Sequence, residues 1–269
     1  MSVPTIPARD LSGKRPPGLG GINFTVLELE VRKLVRNRRT VIFAVILPIV
    51  LFLFIGTNKA YATQAEGHGN VSAFLMVSMA LYGAVLATTA GGAMVAIERA
   101  LGWSRQLRLT PLSPAAYIVI KMMTSMVLGL ISVVAIYAVG KLTGVPHMNP
   151  GYGYLWVVTG LCVWVGSLVF AAFGLFIGYL LPSENVMQFM GLIMVVLSFA
   201  GGLFYPLNQF PHLLQVIAKF TPLYGLNELV HAPLLGGSVH LVWVVNAVAW
   251  LAIFTTGAIW RFRKDTARV

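Results

Sequence analysis

Residues 98–121 read ERALGWSRQLRLTPLSPAAYIVIK, a charged stretch between two strongly apolar runs. Glu98, Arg99, Arg105 and Arg108 recur at helix-compatible spacing around Leu101, Trp103 and Leu107. Thr110-Pro111-Leu112-Ser113-Pro114 then stops a helix, because each proline removes an amide donor and restricts the residue before it. Ser113 followed by Pro114 predicts a fresh start, with serine capping and proline at the first helical position. The stretch therefore predicts a short helix, a sharp turn and a new apolar span. Set between two such spans, it has the character of a handle on a membrane protein, offered to something soluble.

Composition agrees with that reading. With 58% hydrophobic residues, 10% charged residues and a mean hydropathy of +0.82, most of the chain cannot face water. Apolar segments lie at approximately 40–57, 71–97, 115–140, 154–181, 186–205 and 239–260. Each is long enough to cross about 30 Å of hydrocarbon at about 1.5 Å per residue. The predicted fold is all-α: six transmembrane helices, with Pro48 expected to kink the first. A single cysteine, Cys162, excludes an intrachain disulfide.

A formal charge of +11 would suggest nucleic acid for a soluble protein, but here the basic residues flank the spans and report orientation. Eight Lys and Arg precede the first segment, three lie between Glu98 and Pro114, and four follow Trp260; the opposite side holds only Lys59, Lys141 and Lys219. Positive loops stay inside, which predicts cytoplasmic termini and a cytoplasmic Glu98 stretch in a multi-pass membrane protein. Lys121, just inside the third span, is expected to snorkel to the aqueous edge. Membrane lipid is an expected partner and nucleic acid is not.

Residues 1–22, rich in proline and glycine, read as a mobile cytoplasmic tail. Residues 23–39 form an amphipathic helix with Phe24, Leu27, Val31, Leu34 and Val35 on one face, and Glu28, Glu30, Arg32, Lys33 and Arg36 elsewhere. Glu28 and Arg32 stand four apart in the favourable order. Such a helix fits the membrane interface, held by anionic lipid, or packs on a cytosolic partner. Residues 40–260 make the transmembrane domain and 261–269 a second cytoplasmic tail. Within that domain, Tyr205 to Gly237 contains Pro206, Pro211, Pro222 and Pro233 yet is about as apolar as a span. Its pieces are too short to cross, so residues 206–237 are expected to dip into the membrane and return, an ordinary amphipathic outer loop being the alternative.

Site candidates follow from what is unusual at membrane depth. Pro222, Tyr224, Glu228 and His231 are candidates for an exit gate, with Glu228 and His231 expected as a satisfied polar pair. Glu-x-x-His is also half of a di-iron site, but the chain lacks the second copy and the two further glutamates, so no metal is expected. Phe43, Phe52, Phe54, Phe189, Phe199, Phe204 and Tyr205 could line an apolar substrate route or face lipid. Small residues at fourfold spacing, Gly83, Ala87 and Gly91 and again Gly174 and Gly178, are expected to pack spans closely within the chain.

An acidic residue closing a span, then a glycine, a leucine ahead of Thr-Pro-Leu-Ser, and a lysine is a specific combination. In Glu98, Arg99, Gly102, Leu107, Thr110, Pro111, Leu112, Ser113, Tyr117 and Lys121 it resembles the cytoplasmic coupling segment of ABC type-2 exporter permeases, the drug and antibiotic branch. The resemblance extends more weakly over roughly residues 23 to 260. It implies that segment 98–114 docks on a separate soluble ATPase through Glu98, Arg99, Gly102, Arg105, Leu107, Arg108, Thr110 and Pro111. It also implies two such ATPase subunits, which bind ATP and Mg, a second permease copy or paralogue, and short re-entrant helices under the exit, all in a bacterial plasma (inner) membrane. No phosphate loop is present in the chain itself: Gly13-Lys14 and Gly140-Lys141 lack the upstream glycine and the following hydroxyl. No catalytic group and no cofactor of its own are expected.

The expected function is export of an amphiphilic or hydrophobic substrate, a drug, antibiotic or lipid-like molecule, since a charged solute would need mid-membrane partners to offset desolvation. A polysaccharide or glycolipid exporter permease is the nearest competitor. An ion-coupled secondary transporter would need a mid-span acid, and a membrane-embedded enzyme would rest on Glu228 and His231 alone.

Overall fold

The computed structural model describes residues 24–102, 113–184 and 186–267, and these are mostly helical. Helical runs long and apolar enough to cross a membrane are Val71–Ala100, Ala115–Thr143, Leu155–Leu180 and Leu241–Lys264. Two further apolar helical stretches, Ile42–Gly56 and Gln188–Ala200, are shorter. Six expected segments thus appear as four of full length and two short ones.

The chain enters through α1 (Phe24–Val35) and α2 (Arg38–Val41), followed by α3 (Leu47–Leu51) between two wide π turns, Ile42–Ile46 and Phe52–Gly56. Pro48 explains part of this irregularity. It has no amide to donate to the Ala44 carbonyl four residues back, and the Ser132 hydroxyl donates to that carbonyl instead at 2.9 Å. The first apolar stretch is thereby tied to the third.

A short α4 (Lys59–Thr63) and a two-stranded hairpin, β1 (Ala65–Glu66) and β2 (Gly69–Asn70), lead into α5 (Val71–Ala93). Asn70 caps that helix, accepting from the Ala73 amide at 2.9 Å while its own amide donates to the carbonyls of Ala62 and Val145. Almost every residue of α5 is buried. It is the central post, and α6 (Val95–Ala100) extends it after a turn at Met94. Around it stand α7 (Pro114–Thr143), α8 (Leu155–Gly166) and α9 (Leu168–Leu180). Side chains must be small where these backbones meet: a Cβ on Gly174 would overlap the Thr89 carbonyl, and one on Gly91 would lie 2.6 Å from Ser125 Cβ. The small-residue strips do pack spans within one chain.

Beyond α10 (Val186–Ala200) come α11 (His212–Ala218), α12 (Pro222–Leu235) and α13 (Leu241–Ala267). Neither α11, with 7 residues, nor α12, with 14, can cross about 30 Å at about 1.5 Å per residue. They are fastened to α13, whose Asn246 amide and Trp250 indole donate to the Lys219 and Phe220 carbonyls at 3.0 and 3.1 Å. Only 11% of the apolar window of α13 is buried. That helix continues to Ala267, so most of the expected tail at 261–269 is helical. The hydrogen bonds of the last turn carry it past Trp260 into the basic residues.

Candidate functional site

The turn at Met94 swings α6 so that Glu98 enters the interior between α1 and α7. Only 5% of it is exposed. Lys121 Nζ lies 2.6 Å and Lys33 Nζ 2.5 Å from its Oε1, and the Tyr117 hydroxyl donates to Oε2 at 2.7 Å. Lys121 also meets Glu30 at 2.5 Å. Two carboxylates and two ammonium groups therefore form one net-neutral cluster joining α1, α6 and α7. Burying charges costs several kcal/mol per ion unless geometry and hydrogen bonds offset it. Here each oxygen of Glu98 has a donor.

This arrangement corrects three expectations. Glu98, expected among the residues that dock on the ATPase, is buried against side chains of this chain. Lys121 does not snorkel, because two acids within reach satisfy its ammonium in place, and 3% of it is exposed. On α1 Leu34 is buried and Glu30 half-buried, Lys33 reaches Glu98 from an exposed position, and Val35, expected on the buried face, is 43% exposed. Leu27, Val31 and Leu34 of the expected apolar face do pack, and Glu30 joins them on the same side. Its expected Glu28–Arg32 pair forms on the surface at 2.6 Å.

Arg99, the next residue, points the other way. Its guanidinium donates to the Gly178 and Tyr179 carbonyls at 3.1 and 3.0 Å and lies 5.5 Å from the Tyr179 ring centroid. These are carbonyls of the last turn of α9, which lack helical partners and favour a cation. Glu98 and Arg99 thus grip opposite neighbours. Gly102 follows in the left-handed region at φ +77°, with open space around its Cα, and ends the helix as glycine does best. On the far side of the stretch, the Ser113 hydroxyl accepts from the Ala116 amide at 3.2 Å and Pro114 opens α7, as the sequence predicts. Arg105, Leu107, Arg108, Thr110 and Pro111 lie outside the described residues.

The other candidates separate. His231 is buried; its ring meets Ser78 Oγ at 3.0 Å and the Asn227 carbonyl at 2.9 Å, and it lies 4.2 Å from the Phe74 ring. Glu228 is half-buried and makes no ion pair among the described residues, so the expected Glu228–His231 pair does not form. Ser78 and the helix's own backbone have taken the histidine's ring nitrogens. Pro222 opens α12 and is buried, whereas Tyr224 is half-buried. Among the described residues no three His, Cys, Asp or Glu side chains gather as metal ligands.

Nor do the aromatic residues converge within this chain. Phe52 is completely buried, while Phe43 and Phe54 are 66% and 82% exposed. Phe43 and Phe52 therefore do not share a buried face. Phe189 and Tyr205 are exposed; Phe199 packs on Phe204 and Phe204 on Tyr82, with ring centroids 5.3 and 4.8 Å apart. Sequence reasoning missed Glu30 and Lys33 as partners of the buried cluster. The signal available was Lys121 itself, a cation inside a span that needs acids nearby.

A bundle of apolar helices with a charged, proline-broken connection anchored beneath it is the architecture of a membrane transport subunit. The chain belongs to the family described as ABC-2 type transporter, whose sequence pattern matches residues 23–235. It is also similar to the Bacillus subtilis (strain 168) protein named "Putative transport permease YvfS", 25% identical over 242 residues that cover 88% of this chain and 96% of that one. The chain is thus a multi-pass membrane protein and a transmembrane subunit of an ABC transporter, a family that works with ABC ATPase partners.

Proposed function

We propose that this chain is the permease subunit of an ATP-driven exporter in a bacterial plasma membrane, carrying amphiphilic or hydrophobic molecules such as drugs, antibiotics or lipid-like compounds out of the cell. It has six spans, the stretches at 42–56 and 188–200 being the first and fifth, with an interfacial α1, re-entrant α11 and α12, and both termini in the cytoplasm. Two permease copies stand on two soluble ATPase subunits, which bind ATP and Mg. Residues 98–114 are the coupling segment.

The observation that carries this reading is the buried cluster at Glu98. A push on the segment after Gly102 reaches α5 through α6, α1 through Lys33 and Glu30, α7 through Tyr117 and Lys121, and α9 through Arg99. Such a segment acts as a lever with no slack, suited to a two-state change in which ATP-driven closure of the ATPases switches the open side of the permease interface. Glu98 is the anchor of that lever and not a surface contact. Absence of charged residues between positions 122 and 140 and between 155 and 180 supports an apolar cargo.

Purification of the tagged chain from its native membranes tests the reading. A soluble nucleotide-binding subunit should come with it, and hydrophobic drugs, not lipid-linked glycans, should stimulate ATP hydrolysis by the reconstituted complex. Stimulation by glycans alone would move the chain to the glycan-exporting branch, and recovery without any ATPase would end the exporter reading.

A further inference from the structure

At the end of the bundle remote from Glu98, α7 and α8 part to leave a cleft of about 610 Å³. Leu130, Val134 and Tyr137 of α7 face Trp156 and Leu161 of α8 across it, Met76 of α5 forms part of its floor, and Lys141 stands at one end. Besides the Trp156 indole, the lining offers two polar side-chain groups. One, the Tyr137 hydroxyl, is already bonded to Thr159 at 2.9 Å. The other, the Lys141 ammonium, is exposed and has no carboxylate within ion-pair reach among the described residues.

Dimensions identify what fits. Lys121, seven residues inside the start of α7, and Lys141, two before its end, are separated by about 30 Å at about 1.5 Å per residue, which is about the thickness of the hydrocarbon layer. Lys121 belongs to the buried cluster at one membrane boundary, so Lys141 stands at the other. From Lys141 down to Leu130 the cleft descends about 16 Å, roughly the depth of one leaflet. Trp156 lines the cleft, and Tyr154, two residues earlier in the chain, is 60% exposed; such amphipathic aromatics favour the headgroup level. An apolar slot one leaflet deep beneath an unpaired ammonium matches a phospholipid in both shape and charge.

We propose that this cleft binds one anionic phospholipid of the leaflet opposite the Glu98 cluster, with an acyl chain between α7 and α8 and the phosphate on Lys141. The site rests on the membrane placement of the chain and not on which substrate the transporter moves. Its lipid would fill a space that neither water nor a side chain of this chain occupies well, and would brace α8 against α7.

Native mass spectrometry of the full chain, with phosphatidylglycerol or phosphatidylcholine of identical acyl chains added, tests it. One phosphatidylglycerol should be retained with about fivefold preference, the ratio that about 1 kcal/mol of attraction per lysine represents. Lys141→Arg should keep that preference and Lys141→Glu should abolish it. Val134→Trp starts from a position 58% exposed and projects bulk into the slot, so retention of both lipids should fall at least tenfold. Gly160→Leu gives a second route to the same result, because a Cβ there meets the Tyr137 ring at an ordinary 3.7 Å and a longer side chain must enter the cleft. Equal phosphatidylglycerol retention by Lys141→Glu and the wild type would overturn the headgroup assignment. Undiminished retention by both slot-filling variants would overturn the acyl-chain assignment.

Discussion

The α5–α6 stretch buries polar groups near both of its ends, and it satisfies them by opposite means. At one end Glu98 lies among Lys33, Lys121 and Tyr117, with Glu30 completing a neutral set of four charges. At the other, Ser78 meets His231, and the remaining partners are the backbone carbonyls of Phe74 and Asn227. The two sites differ in what happens when one member is lost. A buried charge stripped of its partner keeps its full desolvation cost, whereas a neutral hydroxyl can fall back on its own helix. The charged end is therefore an all-or-none joint between three helices, and the neutral end is ordinary packing. A joint belongs where force enters; packing suffices where helices only need to stay together.

The largest expected effect is at the joint. Glu98→Ala leaves two ammonium groups with Glu30 as the single remaining acid, and should cost about 3–5 kcal/mol of stability, read as a large drop in the thermal unfolding midpoint of the purified chain in detergent. A wild-type midpoint would erase the distinction between the two ends. Arg99→Ala should come next, at about 1.5–3 kcal/mol, because it removes charge-assisted bonds to two carbonyls of α9. Hydrogen exchange across residues 177–184 should accelerate while the amides of α7 stay protected. The smallest effect, about 1 kcal/mol, is expected for His231→Leu, since Ser78 retains its bond to the Phe74 carbonyl at 3.1 Å. A loss as large as that of Glu98→Ala would show that the neutral end is a second joint.

These contrasts also mark how far the fold is legible in the amino-acid sequence. Apolar length and proline position locate the long spans and the restart at Ser113, because those depend on local chemistry. Fourfold small-residue spacing anticipates the close approach of α9 to α5 at Gly174 and Gly178. What stays hidden is pairing across distance. Glu30 and Lys33 lie far in the chain from Glu98 and Lys121, and an amphipathic pattern in α1 places its charges away from the packed face. Pattern analysis treats a charge as something that seeks water, yet here four charges find one another first. The burial of Phe52 and the exposure of Phe43 and Phe54 are not read from residue numbers, because π turns break the 3.6-residue period there. Nor do residue numbers pair His231 with Ser78, which sits on another helix.

The central claim is that the segment anchored by Glu98 faces the cytoplasm and meets the ATPase. The most direct measurement uses Ser104→Cys in a Cys162→Ala background, in native membranes. A membrane-impermeant maleimide should label this cysteine only after permeabilisation, and a short thiol-to-amine crosslinker should join it to a soluble nucleotide-binding subunit. Tyr117→Phe, which removes one donor from Glu98, should lower the crosslink yield severalfold at unchanged chain abundance. Labelling of intact cells from outside would contradict the account, because the lever would then stand on the wrong side of the membrane.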